Sequence, residues 1–226
     1  MAGHGHPYSP AELVLPGFVP QRLSQGQILT PAMPSSPSSA PGSSPIPIDD
    51  CMRFAGRCGG GRLSRSDRLL MGWWVFIALT YIVFESPFLF TPDFLSKENP
   101  NYFDDFFKEY SKGDSRFAAR NTAVLALEVV TIGLEGPASL LAAYAIASRK
   151  SYSHTLQFAV SLGQLYGRLL YFITAYLDGF FWVSPFYFWA YFIGSNSSWV
   201  IIATLIATRS WKKISAAFQA EKVKTR

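Results

Sequence analysis

Four long apolar runs dominate the chain, over Leu69–Phe90, Thr122–Ala147, Thr155–Tyr176 and Pro185–Ala207. Each has the ~20 residues that a helix needs to cross the hydrocarbon core of a bilayer. Trp73, Trp74, Tyr152, Tyr176, Trp182, Trp189 and Trp211 lie near their ends, where interfacial aromatic side chains collect. A soluble bundle of four such helices would leave almost no amphipathic surface for water. The pattern predicts an all-α fold, a polytopic membrane bundle of four transmembrane helices.

The polar stretches divide the chain into an N-terminal segment (1–62), the bundle (63–208) and a basic tail (209–226). Thr30–Pro47 is crowded with Pro and Ser, a composition that buries too little apolar surface to offset chain entropy, so disorder is expected there. No charged n-region with an apolar core marks a cleavable signal peptide. Basic residues sit before the first span (Arg53, Arg57, Arg62, Arg65, Arg68), between the second and third (Arg149, Lys150) and after the fourth (Arg209, Lys212, Lys213). The positive-inside rule places these stretches, and with them both termini, in the cytosol. The loop 91–121 then faces the other side although it holds five basic residues. Lys222 and Lys224 fit a K-x-K-x-x tail, a receptor-read address that agrees with an endoplasmic reticulum membrane protein.

Composition changes the picture only slightly. Charged residues make up 15% of the chain and aromatic ones 16%, against roughly 25% charged in soluble domains. The pI of about 9.2 is explained by basic residues flanking the spans, so no nucleic-acid partner is expected. Cys51 and Cys58 form a C-x6-C pair without further Cys or His nearby and read as free thiols, with no metal site and no disulfide framework.

The informative residues are polar ones inside the spans: Glu85, Glu128, Glu135 and Arg168. A charge at mid-bilayer costs ~2.5–3.5 kcal/mol on insertion scales, so such residues face a cavity or a partner. Glu128, Thr131 and Glu135 recur at i, i+3, i+7, on one helical face. Gln164, Arg168 and Tyr171 fall in the third span, Asn196 and Trp199 in the fourth, and Gly136-Pro137 suggests a kink beside Glu135. A lined cavity and an interhelical network of hydrogen bonds with one ion pair both fit this pattern.

Several separate motifs resemble the emopamil-binding protein family of sterol Δ8–Δ7 isomerases, plant enzymes included. They are Lys108-Glu-Tyr-Ser-Lys-Gly-Asp-Ser-Arg116, Glu128 with Thr131, Gly136-Pro137-Ala-Ser-Leu, Gln164-Leu-Tyr-Gly167, Tyr-Leu-Asp-Gly179, and Tyr187-Phe-Trp-Ala-Tyr-Phe192 leading to Asn196 and Trp199. The opening HPYSPAELVLPGFVP also resembles the family's plant members. The resemblance implies an EXPERA-type bundle in the endoplasmic reticulum membrane, a Δ8-sterol substrate among membrane lipid, no cofactor, and possible homodimers. The implied reaction protonates the alkene at C9, leaves a carbocation at C8 and removes a proton from C7. Burial suits carboxyls to such proton transfers, and an aromatic face stabilises a desolvated cation. Carried over by resemblance, Glu85, Glu128 and Tyr81 are catalytic. Thr131, Asn196, Trp199, Tyr110 and Gln164 bind substrate, with Thr131 and Asn196 orienting the carboxylates and Trp199 facing the cation. Lipophilic amines are the implied inhibitors, because an ammonium mimics the carbocation.

The chain departs from the family pattern in four places. Tyr81 stands where the family has His, four residues before Glu85. Asn121 replaces an aspartate seven residues before Glu128, and Arg168 replaces a smaller or acidic residue. The family's first span is replaced by the Pro/Ser-rich stretch. Two functions follow: a working isomerase, or a catalytically weak or inactive relative that binds sterols or amines. No internal repeat or pair of broken helices points to a transporter.

Overall fold

The computed structural model describes residues 5–30 and 63–225. The Pro/Ser-rich stretch, Cys51, Cys58 and the first three arginines of the basic run lie outside these residues. Among the described residues the chain is all-helical. α1 is Gln25–Leu29, α2 Arg65–Phe90, α3 Tyr102–Tyr110, α4 Thr122–Ala147, α5 Ser153–Leu177 and α6 Pro185–Lys224.

α2, α4 and α6 are each long and apolar enough to cross a membrane. α5 matches them in length at 25 residues but spends part of its surface on Gln157, Gln164 and Arg168. Three of the four expected spans therefore meet a composition test. α2 packs along α4, α5 along α6, and α4 meets α5. The outer faces are apolar: Phe76, Leu134, Leu141, Tyr166 and Leu205 are all exposed. Such a surface belongs in lipid, where the helices satisfy their own backbone groups. α6 continues through the expected boundary at 208 to Lys224 without a break.

Each long apolar helix carries one π turn, at Thr80–Glu85, Thr131–Glu135 and Phe188–Ile193. In α2 and α4 the cause is in the sequence. Pro87 and Pro137 lack an N–H and crowd the carbonyl four residues back, so the ladder slips by one residue just before them. The kink expected at Gly136-Pro137 takes this form. The two π turns pack against each other, and the absent side chain of Gly136 allows it: a Cβ there would lie 3.1 Å from Ile82 Cγ1.

Two apolar cores lie at opposite ends of the bundle. Phe88, Phe94, Phe107, Phe117 and Phe192 form one, beneath the 91–121 segment. Trp74, Ala142, Ala143, Ile146 and Ile206 form the other, near the 148–152 turn. At that second end Asp67, beside the Ser64 cap of α2, pairs with Arg209 at 2.8 Å.

Residues 5–30 fold onto the first end. The Tyr8 hydroxyl donates to Lys108 O, the amides of Arg22 and Leu23 donate to Asp105 Oδ2, and the Tyr102 hydroxyl donates to Ile28 O. Residues 5–30 and the α6 tail thus occupy opposite ends of the bundle. The expectation that both termini are cytosolic rested on counting arginines in a stretch most of which lies outside the described residues.

The five basic residues of the 91–121 segment are also accounted for. Lys97, Lys112 and Arg116 pair with Asp104, Glu109 and Asp114. Arg120 Nη1 donates to Phe88 O at 2.7 Å, capping the end of α2. Lys108 is buried, and burial pushes its ammonium below the usual lysine range against the opposing pull of Asp105 and Asp104.

Candidate functional site

Between the two cores the bundle turns polar. Tyr81, Glu128, Thr131, Glu135, Gln164 and Arg168 line a cavity of about 20 Å³, room for about one water. The π turns place these groups, since Glu85 and Glu135 each end one and Thr131 begins one.

Glu85 and Glu128 come within hydrogen-bonding reach of each other. Glu85 Oε2 and Glu128 Oε2 are buried and accept no hydrogen bond from another described residue's N–H or O–H. Two carboxyls within reach of each other can share a proton.

A second polar chain runs beside the pair. Gln164 Nε2 donates to the Tyr81 hydroxyl at 3.3 Å, and that hydroxyl is within reach of the Glu135 carboxylate. The Tyr81 ring also stacks on Trp199, centroids 5.9 Å apart. Glu135 leans across to α5, where a Cβ on Gly163 would meet its Oε1 at 3.4 Å.

Arg168 completes the layer. Its Nη1 donates to Asn196 Oδ1 at 3.2 Å, and its guanidinium carbon lies 5.5 Å from the Trp199 ring centroid. Its charge is felt by Glu85, Glu128 and Glu135, yet none of the described ion pairs includes it. The carboxylate partner imagined from sequence is replaced by an amide and an aromatic face.

Seven of the eight residues singled out from sequence gather in this layer. Asn196 does not orient the carboxylates: Arg168 holds its Oδ1, and its Nδ2 donates to Phe192 O at 2.6 Å. Tyr110 lines a neighbouring space of about 10 Å³ with Asn196 and Tyr191, near enough to Arg168, Glu128 and Glu85 to interact with their charge. Asn121, the departure before Glu128, caps α4 by accepting from Ala123 N at 2.9 Å, a task an aspartate does equally well.

Sequence reasoning missed the network beneath the Lys-Gly-Asp-Ser-Arg stretch. Asp114 accepts from Arg116 Nη2 at 2.6 Å and from the Tyr171 hydroxyl at 2.6 Å, and Arg116 Nη1 donates to Thr174 at 3.0 Å. This buried ion pair ties the loop to α5 and sets the depth of Tyr171, which also lines the cavity. The signal available was an Asp-x-Arg in a loop, which most often marks solvent.

The cavity shares Leu127, Thr131, Glu135 and Gly167 with an apolar groove of about 440 Å³ between α4 and α5. A site of several hundred Å³ is what a small apolar ligand needs. The groove lies on the lipid-facing side, flanked by exposed Val130, Leu134 and Tyr166.

The fold and this layer define a helical membrane protein whose interior holds a close carboxyl pair beside an aromatic face and an apolar groove. Residues 102–210 match the family model described as EXPERA, the expanded EBP superfamily. The chain is 62% identical to a probable 3-beta-hydroxysteroid-Δ8,Δ7-isomerase of Oryza sativa subsp. japonica, over 99% of this chain and 98% of that one. It is 45% identical to the probable isomerase of the same name in Arabidopsis thaliana, over 94% and 90%. It is 49% identical to an isomeliandiol synthase of Melia azedarach, over 68% and 72%. The chain belongs to the EXPERA/EBP family.

Proposed function

We propose that this protein is a 3-beta-hydroxysteroid Δ8,Δ7-isomerase that moves the sterol C8=C9 double bond to C7=C8. The observation that carries the reading is the close approach of Glu85 and Glu128 inside the bundle, with their Oε2 atoms buried. Such a pair supplies an acid and a base together. The acid delivers its proton to C9, the electron pair of the alkene forms the new C9–H bond, and C8 is left as a carbocation. The conjugate carboxylate then takes a proton from C7, and the C7–H electrons close the C7=C8 bond. The pair ends with the number of protons it began with, so the sequence needs no redox partner.

In this reading the carboxylate left after proton transfer faces the developing cation, since the Trp199 ring is covered by Arg168 and Tyr81. Tyr81, Gln164 and Glu135 form a proton path that resets the pair between turnovers. The α4–α5 groove admits the sterol from the membrane, and its contact with Thr131 and Glu135 brings the ring system to the carboxyls. The protein resides in the endoplasmic reticulum membrane as a multi-pass protein. The end bearing Arg149, Lys150, Arg209, Lys212 and Lys213 faces the cytosol by the positive-inside rule, and residues 5–30 face the lumen.

The test is complementation of cells that lack their own sterol isomerase, with the sterols read by mass spectrometry. The natural chain should convert accumulated Δ8-sterol to Δ7-sterol. Glu128→Gln keeps shape and hydrogen-bonding capacity but removes the titrating proton. It should lose conversion by about 10²-fold or more, the range for a positioned general acid or base, while still binding sterol. Full conversion by Glu128→Gln would overturn the assignment.

A further inference from the structure

A second large cavity lies at the end of the bundle where α2 begins and α4 turns into α5. Its volume of about 430 Å³ is close to that of the apolar groove, but the two share no lining residue. Polar and basic side chains dominate it: Ser64, Asp67, Arg149, Lys150, Ser153 and His154.

The charge here is one-sided. Asp67 is already satisfied, since Arg209 pairs with its Oδ1 at 2.8 Å and the Ser64 hydroxyl donates to its Oδ2 at 2.8 Å. Arg209 and Lys213 of α6 are near enough to His154 to act on it electrostatically, and among the described groups that do so Asp67 is the one acid. Lys150 enters none of the described ion pairs and lies 5.7 Å from the Tyr144 ring centroid. Two polar atoms are left over: His154 Nδ1 and Arg209 Nη1 are buried and reach no hydrogen-bonding partner among the described residues. The start of α5 adds to the same field. No side chain caps it and no acid stands in its first turn, so the positive end of a 25-residue helix lies beside the cavity uncompensated. Arg149 adopts φ 50°, a left-handed position at a helix end that glycine takes more easily. A long basic side chain is kept there at a cost to the backbone.

We propose that this cavity binds a phosphate group, and that the headgroup of an anionic phospholipid supplies it. A phosphate brings the negative charge and the several acceptor oxygens that this lining lacks. Position favours a lipid over a soluble phosphate. Two long helices begin and one ends at this level, and Tyr144 and Tyr152 are exposed beside it, so it lies at the membrane interface, where basic pockets between helices take lipid headgroups. Lys150 reaches the phosphate from the 148–152 turn, and His154 and the first N–H groups of α5 donate from the helix. A zwitterionic lipid is the poorer ligand, because its ammonium meets the same basic lining. The bound headgroup would tie α2, α4 and α5 together at this end. The inference does not depend on the isomerase reading.

The experiment is native mass spectrometry of the full chain in a nonionic detergent. It is titrated with phosphatidylinositol, phosphatidylcholine or diacylglycerol of the same acyl chains, and inorganic phosphate is added as a competitor. The natural chain should retain phosphatidylinositol about tenfold or more tightly than phosphatidylcholine, and diacylglycerol less than either. Lys150→Gln with His154→Gln should weaken phosphatidylinositol by about tenfold or more. Arg149→Gly with Lys150→Gln should do the same, and the glycine suits the left-handed backbone, so this protein keeps the test open if the first variant fails to fold. Without lipid it should unfold at the natural temperature or above. Lys222→Gln with Lys224→Gln removes two charges from the exposed tail and should change the affinity by less than about twofold. Equal weakening by the tail variant would overturn the proposal, because general surface charge would then account for the binding. Equal affinity of the natural chain for phosphatidylinositol and phosphatidylcholine would also overturn it. Inorganic phosphate at the same concentration as the lipid should displace none of it, and displacement would overturn the lipid as the source of the phosphate.

Discussion

At the scale of single residues, proximity matters more than identity. Glu85 and Glu128 stand out as charged letters in apolar runs, but their chemistry comes from their closeness and from two buried oxygens to which no described N–H or O–H donates. Tyr81 illustrates how a departure from a family pattern can be absorbed. It stacks on Trp199, accepts from Gln164 and reaches Glu135, so it is built into the layer through its ring and its hydroxyl. Tyr81→Phe separates these roles, because the ring and its stacking survive while the proton path is cut. Sterol affinity should stay within about threefold and turnover should fall by roughly tenfold to a hundredfold, toward the low end of general acid–base contributions. Steady-state kinetics with the purified protein would show this as a loss in kcat with KM unchanged. An unchanged kcat would leave Tyr81 a packing residue. The candidate residues themselves were legible from sequence, because charged letters inside apolar runs are conspicuous. Their partners were not, and Arg168 is the plainest case: a carboxylate was the natural guess, and Asn196 with Trp199 is what it meets.

At the scale of elements, the apolar runs marked the helices well. Thr122–Ala147 matches α4, and the others differ only where polar helix continues beyond the apolar part, as at Arg65 and along the tail to Lys224. The π turns were hidden, because one inserted residue barely disturbs an apolar period, although Pro87 and Pro137 were the clue to two of them. The loop 91–121 was opaque for another reason: its order comes from ion pairs and close approaches that no periodicity encodes. Two expectations follow. Arg116→Met strands Asp114 in the interior and should cost ~3–5 kcal/mol, the usual result of breaking a buried pair from one side. The double change Arg116→Met with Asp114→Leu should recover much of that loss, which thermal unfolding in micelles can measure. Gly113 has a different constraint. A Cβ there would lie 2.7 Å from Tyr191 Cβ and 3.2 Å from Tyr110 O, both tied closely to backbone. Gly113→Ala should therefore destabilise by about 1–3 kcal/mol. Gly133→Ala, where a Cβ meets nothing within 4 Å, should be neutral or slightly stabilising.

At the scale of the whole molecule, the arrangement is a polar, proton-carrying layer held between two apolar cores, with residues 5–30 clamped on one end and a helical basic tail on the other. Hydrogen bonds that join positions some 80 to 100 residues apart leave no trace in local sequence pattern, which is why the clamp and the end of the bundle that it covers were not foreseen. They are testable. Glycosylation acceptors placed at the exposed Ala11–Glu12 turn and, in a separate protein, after Lys224 should report opposite sides of microsomal membranes, with only the first modified. Modification of both or of neither would contradict the opposed ends. The central claim is that the carboxyl pair exchanges protons with the sterol. The most direct test is to run the purified protein on a Δ8-sterol in D2O and locate the label in the product. The account predicts Δ7-sterol carrying one deuterium at C9, and no such product from Glu128→Gln. Unlabelled Δ7-sterol, or a folded, sterol-bound protein that forms none, would contradict it.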